Sequence, residues 1–528
     1  ACGAHPLRIK SAYLSIPSVL EVLTKPRLFT RLIAEPLFRD SLQITQRADL
    51  SPFHWELDFA EAFFDENGRR TNPGFDAIIG NPPYDVLSEA ETGRDLSTLR
   101  AFIDYEPIYE PSLRGKNNLY KLFICRSLHL LAEGGHMGLI TPMAVLGDDQ
   151  AADIRKQILD IGYFTGIEAF PQKDNPNRRV FPEAKLSTAV FLLVKSKAND
   201  ADSRRFISRV HPGREIEPGS PSLELSTSEI PLYDPVNFTV VSCSQTDWDL
   251  ATRIMDTGRL VRLRQYTKFF QGEVNETNER TRGNLLDGPE GKLVTRGASI
   301  CLYMLRPASQ GDDLWLNVEK FLRGKDEETK AFHHRYDRIG LQESCPQNNF
   351  RRVIAAFIPA GEYCNHKVNY LPEHTSQHPL KFVLGLLNSK LTDWYFRLGS
   401  TNAAVSHYQL YNLPCPVFAV GIESSDQGLQ KMALRELRNG DINSVFEVLQ
   451  PALINPPFSQ AIRAVIIEAV NRIISIEENR GDIPRAARSA LDPKAQPYQD
   501  LIDQLFYAMA GLTEEESSQL EMRLAQML

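Results

Sequence analysis

Residues 75–84 read Phe-Asp-Ala-Ile-Ile-Gly-Asn-Pro-Pro-Tyr, and this stretch decides the fold. The short apolar run at 77–79 is of the kind that forms a buried central strand of a parallel sheet. The strand ends at Gly80 and is followed by an amide, two prolines and an aromatic ring. Ligands of open α/β sheets bind at the carboxyl ends of the strands. The stretch therefore predicts an α/β fold with a ligand site that begins at Asn81.

The two prolines indicate what kind of ligand this site takes. Proline has a fixed φ and no N–H, so the Asn81 side chain and the Pro82 carbonyl are held as a pair of acceptors. Such a pair suits a planar NH2 group, and Tyr84 offers a face on which its ring can stack. The turn at 81–84 thus predicts methyl transfer to an exocyclic or amide nitrogen. For the tetrapeptide alone, a proline-rich turn after a core strand is the alternative interpretation.

A second copy of the motif occurs at 455–458, which reads Asn-Pro-Pro-Phe. No clean strand precedes it, and residues 459–470 have a helical pattern. We interpret this copy as a turn that enters a helix, with proline near the first helical position.

The composition is that of a soluble globular protein. A chain of 528 residues should hold two to four domains. A hydrophobic content of 42% and a charged content of 24% are ordinary. Neither a signal peptide nor an apolar run of about 18 residues is found, so we expect no membrane partner and a cytoplasmic location. Cys345 and Cys364 with His366 do not match zinc spacing, and we expect no metal site.

The order of secondary structure after residue 75 favours the second half of a doubly wound domain that ends in a hairpin. Residues 1–50 have a helical pattern, and a loop of roughly 35 residues, functional or disordered, runs to Asn118. The expected elements after it are a helix at 119–131, a strand at 137–140, a helix at 149–161 and strands at 163–170 and 187–195.

Several blocks in this order closely resemble the gamma-class DNA adenine-N6 methyltransferases, in particular the large methylases of type IIG restriction–modification systems. The turn at 81–84 is similar to the catalytic motif of that family. The other matching blocks are Asn-Leu-Tyr-Lys-Leu-Phe at 118–123, the Gly-Gly to Pro strand at 134–142, the hairpin at 180–189 and the aromatic stretch at 53–63. The resemblance implies a Rossmann-like methyltransferase domain that uses S-adenosyl-L-methionine.

The resemblance also implies roles for individual residues. The catalytic residues would be Asn81, Pro82, Pro83 and Tyr84. Tyr84 and Phe181 would stack on the flipped-out base. Phe181 is preferred to Phe170 because it lies six residues before Ser187, as in the family. The cofactor-binding residues would be Asp58, Phe59, Asn81 and Phe123.

One block of the family is missing from this sequence, namely the glycine-rich cofactor loop that precedes the others. Residues 1–4 read Ala-Cys-Gly-Ala, without a strand before them or a Gly-x-Gly after them. We therefore expect an upstream segment or a partner chain to supply this loop, and a nuclease with it.

The charge pattern places the DNA-facing part in the middle of the chain. The net charge is −8, but residues 251–420 hold 22 Lys and Arg against 17 Asp and Glu. Residues 421–528 hold 10 against 16. We thus expect a catalytic domain at 1–245, an α+β target-recognition domain at 246–420 and a helical region at 421–528. A solvated surface of mixed charge is the alternative explanation. The arginines selected as DNA contacts are Arg280, Arg282, Arg296, Arg338, Arg351 and Arg352.

These observations predict a site-specific DNA adenine-N6 methyltransferase that acts on double-stranded DNA in a bacterial restriction–modification or anti-phage system. Two alternatives stay open at this point. The chain could be a DNA-binding specificity module without catalysis of its own, as the missing cofactor loop suggests. Protein-glutamine and RNA methyltransferases also carry Asn-Pro-Pro-Tyr, although they usually lack a large recognition domain.

Overall fold

The computed structural model of the chain describes residues 27, 39, 53–89, 93, 95–196, 204–308, 311–400, 403–421, 424–481, 483–484 and 487–526. The helices expected within 1–50 lie outside the described residues, apart from positions 27 and 39. The chain divides into two compact units, Ala1–Gln245 and Thr246–Leu528. The second unit takes in both 246–420 and 421–528, and the division between these two regions stays a prediction.

The first unit is built on β-strands with helices between them. Its described strands are β1 Phe64–Asp65, β2 Gly68–Arg69, β3 Phe75–Gly80, β4 Leu131–Pro142, β5 Gly162–Phe170, β6 Thr188–Lys195, β7 Arg205–Val210 and β8 Ser222–Ser226. Its described helices are α1 Trp55–Asp58, α2 Ala60–Phe63, α3 Ser97–Tyr105, α4 Leu119–Leu130, α5 Ala144–Gly147, α6 Ala152–Ile161 and α7 Glu229–Tyr233.

Six of these strands form a mixed sheet in the order β3-β4-β6-β5-β7-β8. β3 and β4 are parallel, as are β5 and β7, whereas β6 runs antiparallel to both of its neighbours. The predicted alternation of strand and helix with a closing hairpin is confirmed, since β6 folds back between β4 and β5. The fold is therefore mixed α/β, with the parallel β3–β4 pair at one end of the described sheet.

The central position expected for the 77–79 strand is not what the structure shows. Among the described residues β3 pairs with β4 alone, and Ile79 is 93% exposed. Ala77 is exposed as well. An apolar run predicts burial on both faces, but burial also needs neighbouring segments, and no described segment covers this part of β3.

Close backbone contact explains how β3 enters the sheet beside β4. Gly74 has φ +130°, and a Cβ there would lie 2.6 Å from the carbonyl oxygen of Leu130. Only glycine fits such a conformation at such a distance. The Asn72 amide exchanges two hydrogen bonds with the backbone of Glu133, at 3.0 and 2.9 Å. These contacts fix the approach of the chain to the strand that carries the Asn-Pro-Pro-Tyr turn.

The long loop expected before Asn118 contains regular structure. Helix α3 and a 3-10 turn at Pro107–Ser112 lie within it. Leu87, Leu96, Ile103 and Leu122 form a small buried cluster that attaches this segment to α4. The sequence pattern missed the helix because α3 is only nine residues long.

The second unit contains short strands followed by a helical region. Its described strands are β9 Leu260–Arg262, β10 Phe270–Gln271, β11 Leu285–Leu286, β12 Lys292–Thr295, β13 Trp315–Leu316, β14 Arg338–Gln342, β15 Ala355–Ile358, β16 Tyr363–Cys364, β17 Val368–Pro372 and β18 Pro414–Pro416. Its described helices are α8 Gln245–Asp256, α9 Glu276–Thr281, α10 Val318–Leu322, α11 Leu380–Leu387, α12 Lys390–Leu398, α13 His407–Tyr411, α14 Ser424–Asn439, α15 Ile442–Leu449, α16 Gln460–Asn479, α17 Gln496–Ala510 and α18 Glu514–Gln526.

Two four-stranded sheets carry the first part of this unit, in the orders β10-β17-β14-β15 and β11-β13-β12-β16. The sequence pattern of 379–398 predicts one amphipathic helix, but the structure contains two helices there, α11 and α12. Ser389 separates them because its hydroxyl oxygen accepts the Thr392 N–H at 3.2 Å and so caps α12.

The second Asn-Pro-Pro copy precedes a helix, as predicted. Its prolines lie before the helix, however, because α16 begins at Gln460 with Ser459 as its cap.

The Thr-Glu-Glu-Glu sequence at 513–516 has the spacing of a capping box and predicts a helix start. The last helix, α18, begins there at Glu514. The Glu516 N–H donates to the Thr513 hydroxyl at 3.2 Å, and the Thr513 N–H donates to the Glu516 carboxylate at 2.9 Å. Glu516 also pairs with Arg253 at 2.6 Å, which ties α18 to α8. A local sequence signal is here reinforced by a tertiary contact.

We expect Thr513→Ala to lower the free energy of unfolding by about 1 kcal/mol, because an N-cap acceptor is lost. Urea denaturation of the full chain measures the change. Ser518→Ala, an exposed position of the same helix, is the matched control and should stay within about 0.5 kcal/mol. Equal effects of the two substitutions would contradict the capping role.

Candidate functional site

The Asn-Pro-Pro-Tyr turn lies at the carboxyl edge of the β3–β4 pair. Gly80, the last residue of β3, pairs with Leu139 of β4. The Tyr84 hydroxyl then donates to the Ile140 carbonyl at 3.3 Å. Since parallel strands end at the same edge, the turn and the end of β4 meet where the sequence predicted a ligand site.

Tyr84 and Phe181, the two predicted stacking residues, are brought together at this edge. Their ring centroids are 6.0 Å apart with an interplanar angle of 72°. Burial raises the pKa of the Tyr84 phenol to about 12, so the hydroxyl stays protonated and remains a donor at neutral pH. Tyr84 and Phe181 thus present two aromatic rings, and both side chains are uncharged at neutral pH.

The alternative stacking residue, Phe170, is occupied elsewhere. Its ring is 5% exposed and stacks on the His211 imidazole with centroids 4.9 Å apart. His211 in turn contacts Glu168 at 2.8 Å, so this cluster is a packed part of the sheet. By contrast, Phe181 is only partly buried, and its loop is shaped by Arg179, which donates to the Pro182 carbonyl at 3.0 Å. The geometry favours Phe181.

In the turn formed by Asn81 and the two prolines, one proline is buried and the asparagine side chain is exposed. Pro82 is buried, whereas Asn81 and Pro83 are exposed. The Asn81 side chain makes no hydrogen bond with any described residue. Its oxygen is therefore available as an acceptor, while burial of the next residue holds the backbone.

Helix α4 begins beside this turn, an arrangement that the sequence did not reveal. The Leu119 N–H donates to the Asp85 carbonyl at 2.9 Å, and Leu87 N–H donates to Asn117 at 2.8 Å. Phe123 lies four residues further along, about 6 Å at helical rise, and is 48% exposed. The Asn118 side-chain oxygen is buried without a hydrogen-bond partner among the described residues. These contacts place the start of α4, including Asn118 and Phe123, near the site.

Asp58 and Phe59, predicted to bind the cofactor, lie at the other end of β3. The Phe59 ring packs edge-on against Phe75, the first residue of β3, with centroids 5.3 Å apart. The Asp58 carboxylate accepts the His54 N–H at 2.8 Å. The five steps from Phe75 to Gly80 span about 17 Å at strand rise. The structure thus does not bring this pair to Asn81, because the strand separates them.

Of the predicted DNA contacts, Arg280 and Arg282 are on the surface. Their side chains are 63% and 61% exposed and pair with Glu276 and Glu279 respectively. Arg296 is less exposed, pairs with the same Glu276 at 3.5 Å and also donates to the Asp312 carbonyl. An exposed pair such as Arg280–Glu276 contributes little to stability, so Arg280 can exchange partners.

Arg338 and Arg352 are buried, which overturns the expectation that they contact DNA. Arg338 has a fully buried side chain paired with the equally buried Glu273 at 3.1 Å. Arg352 is 1% exposed, and its guanidinium lies over the Phe396 ring at 5.5 Å. Arg351 has a buried Nη1 atom without a partner in the described structure. Sequence counting could not separate such internal cations from surface ones.

The described residues contain no group of three or more His, Cys, Asp or Glu placed to hold a metal ion. Within the same residues, no helix combines the length and the apolar character that crossing a membrane requires.

Comparison with known proteins agrees with the motifs. Residues 20–175 match the sequence model of the family described as Eco57I restriction-modification methylase. This range contains the turn at 81–84, the start of α4 and strand β4. The resemblance to restriction–modification methylases is thereby confirmed for this part of the chain.

Two curated relatives are similar over short segments. One is the type II methyltransferase M.TthHB8I of Thermus thermophilus, 36% identical over 104 residues, which cover 18% of this chain and 23% of the relative. The other is the type II restriction enzyme and methyltransferase RM.Eco57I of Escherichia coli, 30% identical over 102 residues, or 19% of this chain and 10% of the relative. The matches thus span less than a quarter of either relative.

A solved structure of the type IIL restriction-modification enzyme MmeI in complex with DNA resembles the chain at 10% identity. The match covers 85% of this chain and 57% of that one, with a TM-score of 0.46. A TM-score of this size does not establish a shared fold.

The buried Arg338–Glu273 pair yields a stability prediction. Glu273→Ala should lower the free energy of unfolding by about 3–5 kcal/mol, because it leaves the Arg338 charge buried and unpaired. The matched control is Glu319→Ala, whose partner Arg323 is 71% exposed, and it should cost about 0–1 kcal/mol. Urea denaturation of the full chain compares the two. A small, similar cost for both would show that water reaches the Arg338 guanidinium.

Proposed function

We propose that this chain carries the target-amine site of a DNA adenine-N6 methyltransferase that uses S-adenosyl-L-methionine, within a restriction–modification system. The observation that carries the proposal is the Asn-Pro-Pro-Tyr turn held at the carboxyl edge of β3 and β4, with Tyr84 beside Phe181. The family match over residues 20–175 supports it.

The turn has the acceptors that an amino group needs. In the proposal, the Asn81 side-chain oxygen and the Pro82 carbonyl accept the two hydrogens of the adenine N6 amine. Both bonds draw the nitrogen lone pair out of conjugation with the ring and direct it outward from the turn. The exposed, unpaired Asn81 amide and the buried Pro82 are suited to this, because the acceptors are positioned before the base arrives.

Tyr84 and Phe181 would hold the ring of the flipped-out base. A base in a duplex is out of reach and must leave the stack, at a cost of a few kcal/mol, roughly. Stacking stabilises the flipped-out base by about 1–3 kcal/mol per aromatic face, which offsets this cost. The rings are now 6.0 Å apart and nearly perpendicular. A base between two faces needs about 7–8 Å, so one ring must turn and the pair must open slightly.

The residues expected to bind S-adenosyl-L-methionine fit it only in part. Phe123 offers an exposed ring on the helix that starts beside the turn. Asp58 and Phe59 lie at the other end of β3, and the sequence contains no glycine-rich loop for the cofactor. Bound to the complete protein, S-adenosyl-L-methionine would supply an electrophilic methyl group. The proposal therefore assigns the amine-binding half of the site to this chain.

The second unit would select the DNA sequence to be methylated. Arg280 and Arg282 are exposed cations suited to phosphate or guanine contacts, and Arg296 is a third, partly exposed one. For these three the predicted DNA contact stands as a proposal. Arg338 and Arg352 are not carried forward, because fully buried side chains cannot reach DNA.

Asn81→Ala in the full-length protein should abolish N6-methyladenine formation and leave duplex binding largely unchanged. The amide is exposed and unpaired, so its removal should not disturb the fold. Mass spectrometry of DNA from expressing cells measures the product. Asn67→Ala, another exposed asparagine of the same unit, is the control and should methylate normally. Undiminished methylation by the Asn81 variant would refute the proposal. A full-length protein that binds DNA but methylates nothing would favour a DNA-binding specificity module. Methylated glutamine or methylated RNA would instead favour a protein-glutamine or RNA methyltransferase.

Phe181→Ala should weaken methylation of duplex DNA by roughly 5–150-fold, which corresponds to the loss of one stacking face. Its defect should shrink on single-stranded or mismatched substrates, because less unstacking is then required. Initial rates of methyl transfer measure both substrates. Phe102→Ala removes another half-exposed ring of the same unit and should have no such effect. An identical defect on both substrates would argue against a role in base capture.

A further inference from the structure

The second unit contains a cleft that the sequence did not reveal. Its volume is about 1260 Å³. The walls come from the β-rich part, including Arg296, Gln342 and Lys367, and from the C-terminal helical region, which contributes Arg488 and Ser489. Two regions predicted to be separate domains therefore build one surface.

The charge of the cleft walls is positive. Arg296, Lys367 and Arg488 line it, whereas Glu276 is the one carboxylate among its described lining residues. Lys367 is 59% exposed and pairs with Glu343 at 3.3 Å. Arg488 donates to the Pro307 carbonyl at 2.6 Å and, more weakly, to Ile483 at 3.4 Å. Both acceptors are backbone carbonyls, so within the described structure the Arg488 guanidinium has no carboxylate partner.

Side-chain amides lie among these cations. The Gln342 amide nitrogen donates one hydrogen to the Ile300 carbonyl at 2.9 Å, which leaves its second hydrogen and its oxygen for other partners. Asn349 is also a lining residue, but its amide nitrogen donates to Cys345 Sγ at 3.0 Å and to the Arg351 carbonyl at 2.9 Å, which leaves only its oxygen for other partners. Glutamine and asparagine amides recognise the adenine edge in the major groove, and arginine and lysine recognise guanine or phosphate.

The size of the cleft also indicates a large ligand. Pockets for small molecules measure roughly 300–1,000 Å³. This cleft is larger, and its charged lining residues are three cations and one carboxylate, which suits a polyanion such as nucleic acid.

We propose that the cleft binds duplex DNA and that Arg488, from the C-terminal region, is one of its phosphate contacts together with Lys367. The inference rests on the proposed function in one respect: it takes the bound DNA to be the substrate that is methylated. It goes beyond that function by assigning the contact surface to residues from both 246–420 and 421–528. If 246–420 alone were replaced by the same region of a relative, the part of the contact surface that Arg488 supplies would accordingly stay unchanged.

The test measures binding of sheared duplex DNA to the full chain by fluorescence anisotropy over a series of salt concentrations. Arg488→Ala and Lys367→Ala should each weaken binding by roughly three- to tenfold and lower the salt slope by about one. Arg488→Lys should restore most of the binding, because a phosphate contact needs the charge. Arg323→Ala, an exposed arginine outside the cleft, is the control and should bind normally.

The binding measurements do not depend on whether the protein methylates DNA. Wild-type affinity and salt slope in both cleft variants would overturn it, as would failure of the unchanged chain to bind duplex DNA at low salt. The Lys367 variant controls for a folding defect at Arg488, since the Lys367 side chain is 59% exposed. A protein that binds DNA through the cleft and forms no N6-methyladenine would refute the proposed function and leave this inference intact.

Discussion

The parallel register of β3 and β4 is the constraint on which the candidate site depends. Pairing of Gly80 with Leu139 brings the Asn-Pro-Pro-Tyr turn to the end of β4, where Tyr84 reaches the Ile140 carbonyl. The antiparallel strand β6 begins opposite Pro142, so the preceding loop returns to the same edge with Phe181. The register of one sheet therefore brings together the turn at 81–84, the end of β4 and the loop that carries Phe181, which lie up to roughly 100 residues apart in the chain.

The assembled edge is a site of neutral groups. Its acceptors are an exposed amide and a backbone carbonyl, and its rings come from a phenylalanine and a protonated tyrosine. A neutral aromatic amine needs hydrogen-bond acceptors and stacking surfaces, and burying a charge beside it would be costly. The charged chemistry lies in the second unit, which is suited to a polyanion. In the proposed function, the first unit positions one base and the second unit holds the duplex.

The arginines of the second unit show how burial decides what a charge does. Arg338 is sealed against Glu273 and the Tyr370 ring, where it contributes to the interior of the sheet. Lys367 and Arg488 line an open cleft and can face a ligand. Arg338 and Lys367 count equally in a charge tally, and the charge excess of 251–420 therefore says little about which side chains can contact DNA.

The sequence by itself determined the local features of this protein. It predicted the strand–helix order from residue 75 onward, the turn at 81–84 and the capping box at Thr513 and Glu516, because caps, turns and periodic patterns depend on near neighbours. Only the tertiary structure decided that β3 lies at one end of the described sheet, that Asp58 and Phe59 are separated from Asn81, that Arg338 and Arg352 are buried, and that Arg488 lines the same cleft as Lys367. Burial and proximity between distant segments are properties of the packed chain, and no local pattern carries them.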